Sequence, residues 1–213
     1  MQSISIILLA VLMAVAYGIA HDQVTARVCV EYFTIGHPPV FDTASPTLLG
    51  LGWGLLATWW VGLLLGVPLA FAARIGARPK RSAVSLVRPM MFLLAVNGGC
   101  AFLAGSTGYV AASKGWVRLV GTLAARVPED RHVVFIADLW AHFSSYFVGF
   151  LGGAVVCTLV WMSRRASPTP NVRDAGQMAV AASVTLVLLC PCCRAAVAAD
   201  EATDLSPRIE EPL

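Results

Sequence analysis

The residues best suited to chemistry are imidazoles and carboxylates, and they gather in two segments, residues 21–42 and residues 113–142. Neutral imidazoles together with carboxylates suit a divalent transition metal such as zinc. The same groups could transfer protons near neutral pH, because imidazole titrates in that range. The candidate metal ligands are His21, Asp22, Glu31, His37, Asp138 and His142.

A structural interpretation of these residues stands beside the metal hypothesis. No His-Glu-x-x-His motif or comparable spacing is present, so the ligands would have to meet across two segments. Alternatively, the same side chains tie helix ends together at a membrane surface through hydrogen bonds and ion pairs. Arg27 and Glu31, for example, have the i, i+4 spacing of a helical ion pair. No catalytic residue is assigned.

Long stretches without charge determine which elements must position these residues. Of the 213 residues 58% are apolar and 13% are charged, whereas about a quarter are charged in an ordinary soluble domain. Several uncharged stretches reach the roughly 20 residues with which a helix crosses a bilayer, and they show no polar face. We predict an all-α integral-membrane bundle with four transmembrane helices near residues 4–20, 48–73, 89–112 and 143–163 and a fifth candidate membrane segment near residues 176–193.

The ends of the chain leave two questions open. No helix breaker follows the first stretch, so we expect helix one to continue to about Phe33; the alternative is a cleaved signal peptide that ends at Gly18-Ile19-Ala20. Residues 1–165 would form the bundle, and residues 166–213 would hold a linker, the fifth segment and a disordered acidic tail. The Cys190-Pro191-Cys192-Cys193 run is similar to the metal site of copper-transporting ATPases, although disulfide formation or apolar packing is the stronger alternative.

The distribution of basic residues predicts how the chain crosses the membrane. Residues 74–88 and 164–174 together hold eight Lys and Arg, whereas residues 21–47 and 113–142 hold five. Because Lys and Arg concentrate on the cytoplasmic side, we expect the amino terminus inside and the histidine-bearing segments outside.

The glycines of the predicted helices indicate close packing. Gly50, Gly54, Gly62 and Gly66 form two small-xxx-small pairs in helix two, which would let another helix of this chain, a second copy or another protein approach closely. The expected partners are therefore the lipid bilayer and other membrane proteins. A net charge of +3, without a phosphate-binding loop or zinc-finger spacing, does not favour nucleic acid.

The run HDQVTARVCVEYFTIGHP at residues 21–38, followed by the glycine- and tryptophan-rich second helix, resembles a group of uncharacterised bacterial multi-pass integral-membrane proteins. The resemblance covers roughly residues 17–112 and weakens towards residue 160. It implies a bacterial source and an inner-membrane location, and it brings no activity.

Two hypotheses about function follow. The first is a non-catalytic protein that assembles with partners or stabilises an envelope complex, because no charged pair is predicted inside the membrane. The second is a membrane enzyme or metal-handling protein whose site faces outward and is built from the six candidate ligands.

Overall fold

The computed structural model describes residues 1–164, and all regular secondary structure in that range is helical. The fifth membrane segment, the Cys190–Cys193 run and the acidic tail lie outside the described residues. The helices are α1 (Gln2–Val28), α2 (Val30–Thr34), α3 (Pro46–Arg74), α4 (Ala83–Ser113), α5 (Gly121–Arg126) and α6 (His132–Ser163), and one turn of 3-10 helix at Glu129–Arg131 precedes α6.

Four of these helices are long and apolar enough to cross a membrane: α1, α3, α4 and α6 together with its preceding turn. This confirms the predicted fold class. Each helix is longer than its predicted span, and α6 begins at His132, eleven residues before the predicted start at Phe143. A helix satisfies its own backbone hydrogen bonds whether or not its side chains are apolar, so a helix can continue beyond the uncharged part of its sequence. Large side chains such as Phe102, 75% exposed, face outward as a lipid-facing surface requires.

The first helix is shorter than predicted. We expected it to continue to Phe33, but α1 ends at Val28 and Cys29 takes an extended conformation before α2 begins. The Arg131 guanidinium donates a hydrogen bond of 3.1 Å to the Val28 carbonyl. A side chain that lies 103 residues away in sequence thus satisfies a carbonyl released by the break.

The spanning helices pack as two close pairs, α1 with α3 and α4 with α6, and the pairs meet through fewer contacts. Glycines make the first pair close. A Cβ atom added at Gly54 would lie 2.5 Å from the Ile19 Cα atom, and one added at Gly62 would lie 2.6 Å from the Val11 Cα atom. The small-xxx-small surface of α3 is therefore covered by α1 of the same chain.

The alternating direction of the spans separates the charged residues into two ends. We call one the arginine end, where Arg164 is 2% exposed and donates hydrogen bonds to the carbonyls of Ala72, Ile75, Arg78 and Pro79. These bonds satisfy backbone groups at and beyond the end of α3. The opposite end contains the histidines, and we call it the histidine end.

Candidate functional site

Two histidines and an aspartate meet at the histidine end of the bundle. His21 and Asp22 lie near the end of α1, and His142 lies in the first third of α6. Each of the three residues offers one ligand atom, and these three atoms all lie within 4.8 Å of one another. The Asp22 Oδ1 and His142 Nε2 atoms are 3.3 Å apart, and both side chains are almost fully buried.

The separations suit a small metal ion. In a tetrahedral zinc site with bonds of about 2.0–2.1 Å, two ligand atoms are separated by about 3.3 Å. The Asp22–His142 pair already has this separation. The other separations in the group are at most 4.8 Å, which is at most about 1.5 Å more than in a tetrahedral zinc site.

Hydrogen bonds determine which imidazole nitrogen is available in His142. Its Nδ1 atom lies 2.8 Å from the Asp138 backbone carbonyl, which can only accept, so Nδ1 carries the hydrogen. In the neutral ring the lone pair is then on Nε2, the atom that faces Asp22. That contact lacks hydrogen-bond geometry despite its 3.3 Å length. Two acceptors this close repel each other unless a proton or a metal ion lies between them.

The second imidazole of the group also has an unpartnered nitrogen. The His21 Nε2 atom is buried and has no hydrogen-bond partner. Its ring packs edge-on against the His142 ring with centroids 4.6 Å apart. Buried polar atoms normally have partners, so two such nitrogens on adjoining rings indicate a site for a ligand.

Aromatic rings from the segment after α1 fix the orientation of the site. The Tyr32 ring stacks on His142 with centroids 4.2 Å apart, and its backbone carbonyl accepts a 2.9 Å hydrogen bond from His37 Nδ1. His37 faces the same cavity but lies outside the three-residue group. Burial lowers the pKa of the His37 imidazole, with the bond to Tyr32 opposing the shift and His142 adding to it. His37 is therefore kept neutral, and its Nε2 atom retains a lone pair.

Glu31 is placed away from the group. Its carboxylate lies 3.0 Å from Arg131 Nε and accepts a 3.4 Å hydrogen bond from the buried Cys29 thiol. The prediction of an Arg27–Glu31 ion pair is wrong, because the helix is interrupted at Cys29 and the two residues are no longer at helical spacing. Arg27 instead binds Gln23 one turn earlier and Thr47 at the start of α3.

Asp138 lies next to the group without joining it. It precedes His142 by one turn of α6, is 2% exposed, and its Oδ2 atom has no hydrogen-bond partner. Of the six predicted ligands the structure thus brings together His21, Asp22 and His142, places His37 and Asp138 beside them, and pairs Glu31 with Arg131.

A cavity of about 110 Å³ extends from the three residues into the bundle. The polar groups Tyr17, Asn97 and Ser145 line its middle, and the Tyr17 and Ser145 hydroxyls are 2.8 Å apart. The Asn97 Oδ1 atom is buried without a partner. The sequence reasoning missed Tyr17, although its position one turn before His21 places it on the same helical face.

Comparison of the chain with protein-family models, curated proteins and solved structures finds no match. The chemistry of the site therefore rests on its own residues. Two imidazole nitrogens and one carboxylate give a mixed nitrogen–oxygen ligand set that suits zinc and neighbouring divalent metals. Three protein ligands leave a fourth position open, as in zinc sites that bind water or substrate.

Proposed function

We propose that this chain is a membrane protein that binds one divalent transition-metal ion, such as zinc, between His21, Asp22 and His142. The observation that carries the proposal is that ligand atoms from two helices, some 120 residues apart in sequence, all lie within 4.8 Å of one another. This corresponds to the second hypothesis from the sequence, reduced from six ligands to three.

Energetic cost supports a functional role for the group. Burying a carboxylate beside unpartnered imidazole nitrogens costs several kcal/mol unless a proton or a cation satisfies them. Ionisable groups inside membrane spans are uncommon and usually functional. The glycine surface of α3 supported the assembly hypothesis, but it is covered by α1 of the same chain. It is therefore not evidence for an external partner.

The orientation belongs to the same proposal. The arginine end holds Arg74, Arg78, Arg81 and Arg164 and would face the cytoplasm, which places the amino terminus inside and the metal site outside. We propose an inner-membrane location in a bacterium, on the resemblance of residues 21–38. The packing of Gly18 against Gly54 supports retention of α1 as a structural helix of the bundle.

Metal analysis of the purified full-length chain tests the proposal. We expect about one zinc, or a neighbouring divalent metal, per chain after equilibration and removal of loosely bound ions. His21→Ala, Asp22→Asn and His142→Ala should each lose most of it, because each removes one of three ligands.

His132→Ala is the matched control. His132 lies at the same end of the bundle, but its Nε2 atom is engaged with the Val127 carbonyl at 2.9 Å. This variant should keep the metal. A wild-type protein without bound metal, or equal metal content in His132→Ala and His142→Ala, would contradict the proposed function.

A further inference from the structure

The cavity reaches from the histidine end towards the middle of the bundle. At the histidine end it is lined by His21, His37 and His142 together with the rings of Tyr32, Phe33 and Trp53. Further in, Tyr17, Asn97 and Ser145 are followed by four aliphatic side chains: Val61, Leu65, Leu93 and Leu94. A few polar groups in a lining that is mostly apolar favour an amphipathic occupant over water.

The shape of the cavity favours a single chain. It spans about seven residues of α1, from Ala14 to His21, which at 1.5 Å per residue corresponds to about 10 Å. A volume of about 110 Å³ over that length describes a narrow tube rather than a chamber. One alkyl chain fits such a space, whereas a two-chain lipid does not.

The wall of the cavity is thin at Tyr146. This side chain lines the cavity and is at the same time 36% exposed on the outside of the bundle, so one residue separates the cavity from lipid here. Further along the same helix, Gly153 lies against Leu65 of α3. An amphiphile could therefore enter sideways from the bilayer if the Tyr146 side chain moves aside.

We propose that the cavity binds a single-chain amphiphile, with an oxygen-bearing head group at the His21–Asp22–His142 site and its alkyl chain between the two helix pairs. The head-group contact rests on the proposed metal, whose open fourth position accepts an oxygen donor. The position of the alkyl chain depends only on the cavity.

A photoreactive carboxylic acid tests the assignment. The probe is decanoic acid with a diazirine at its terminal carbon, added to the full chain in lipid nanodiscs, with crosslinked residues mapped by mass spectrometry. With the carboxylate at the histidine end, the terminal carbon should label the deep aliphatic residues Val61, Leu65, Leu93 and Leu94. Removal of metal with EDTA should reduce this labelling.

Two valine substitutions form a matched pair for this experiment. A Cβ atom added at Gly149 would lie 3.6 Å from Asn97 Nδ2 in ordinary contact and project into the cavity, whereas one at Gly99 has no atom within 4 Å. Gly149→Val should lower deep labelling about tenfold, because the added side chain occupies space that the ligand needs, and Gly99→Val should not change it. Ala57→Leu fills the cavity from α3 and provides a second obstruction should Gly149→Val fold poorly.

The outcomes separate this inference from the proposed function, because metal content is measured on the same samples. Labelling confined to outward-facing side chains such as Phe102 and Leu103, or equal labelling in Gly149→Val and Gly99→Val, overturns the inference even if metal is bound. Deep labelling that Gly149→Val removes, in a protein without metal, supports the position of the alkyl chain and refutes the metal site.

Discussion

Replacement of Gly54 by alanine tests whether close contact between α1 and α3 holds the bundle together. The added methyl group would lie 2.5 Å from the Ile19 Cα atom, 2.6 Å from its backbone nitrogen and 2.8 Å from the Gly18 carbonyl carbon. All three atoms belong to the backbone, so no side-chain rotation can relieve the overlap. The two helices must move apart.

Gly99→Ala is the control that separates the cost of overpacking from the change in helix propensity. Both substitutions remove a helical glycine, which by itself favours the helix by about 1 kcal/mol. At Gly99 the new methyl group meets no atom within 4 Å, so only this gain remains. Overpacking costs about 1–3 kcal/mol, and therefore the free energies of unfolding of the two variants should differ by about that amount in favour of Gly99→Ala.

Thermal unfolding in detergent measures the difference. For a chain of this size 1 kcal/mol corresponds to about 2–4 °C, so Gly54→Ala should unfold about 2–12 °C below Gly99→Ala. A maleimide dye that reacts with the buried Cys29 thiol reports the transition, with the other cysteines replaced by alanine in every variant. Equal Tm values for the two variants would refute the packing of α1 on the glycine surface of α3.

Three further predictions concern the two ends of the bundle. Saturating zinc at about 100 times its Kd should stabilise the wild type by about 2.7 kcal/mol and raise its Tm, and Asp22→Asn should abolish that rise; a rise that persists in the variant would argue for metal bound elsewhere. Burial lowers the pKa of His37 below its unfolded value near 6.5, so the folded state disfavours protonation of this imidazole. The neutral imidazole therefore contributes stability at neutral pH, and that contribution is lost as the pH falls below about 6.5. A pH series of Tm values should therefore show a smaller decrease on acidification in His37→Gln than in the wild type, and parallel curves would count against a buried neutral His37. Arg164→Gln should lower stability by about 2–5 kcal/mol, because it removes a buried guanidinium that satisfies several carbonyls, and the loss should exceed that of the more exposed Arg88→Gln in the same unfolding assay.

The sequence by itself determined that the chain has four helices long and apolar enough to cross a membrane and roughly where each one lies. In hydrocarbon a backbone must satisfy its own hydrogen bonds, so a stretch of about 20 apolar residues without charge has few structures open to it. It also determined that Asp22 and Thr25 share a face of α1, because they are three residues apart in a helix, and both are buried.

The tertiary structure decided which polar residues meet. Each residue turns a helix by about 100°, so the direction of His142 towards Asp22 depends on the rotation of α6 against α1, which no local spacing encodes. Gly54 and Gly62 set how closely α3 approaches α1, and packing across the bundle then brings the His142 imidazole to 3.3 Å from the Asp22 carboxylate. The same long-range packing gave Glu31 a partner in Arg131 and removed it from the site, because the energy of a buried polar group depends on neighbours that the linear chain does not specify.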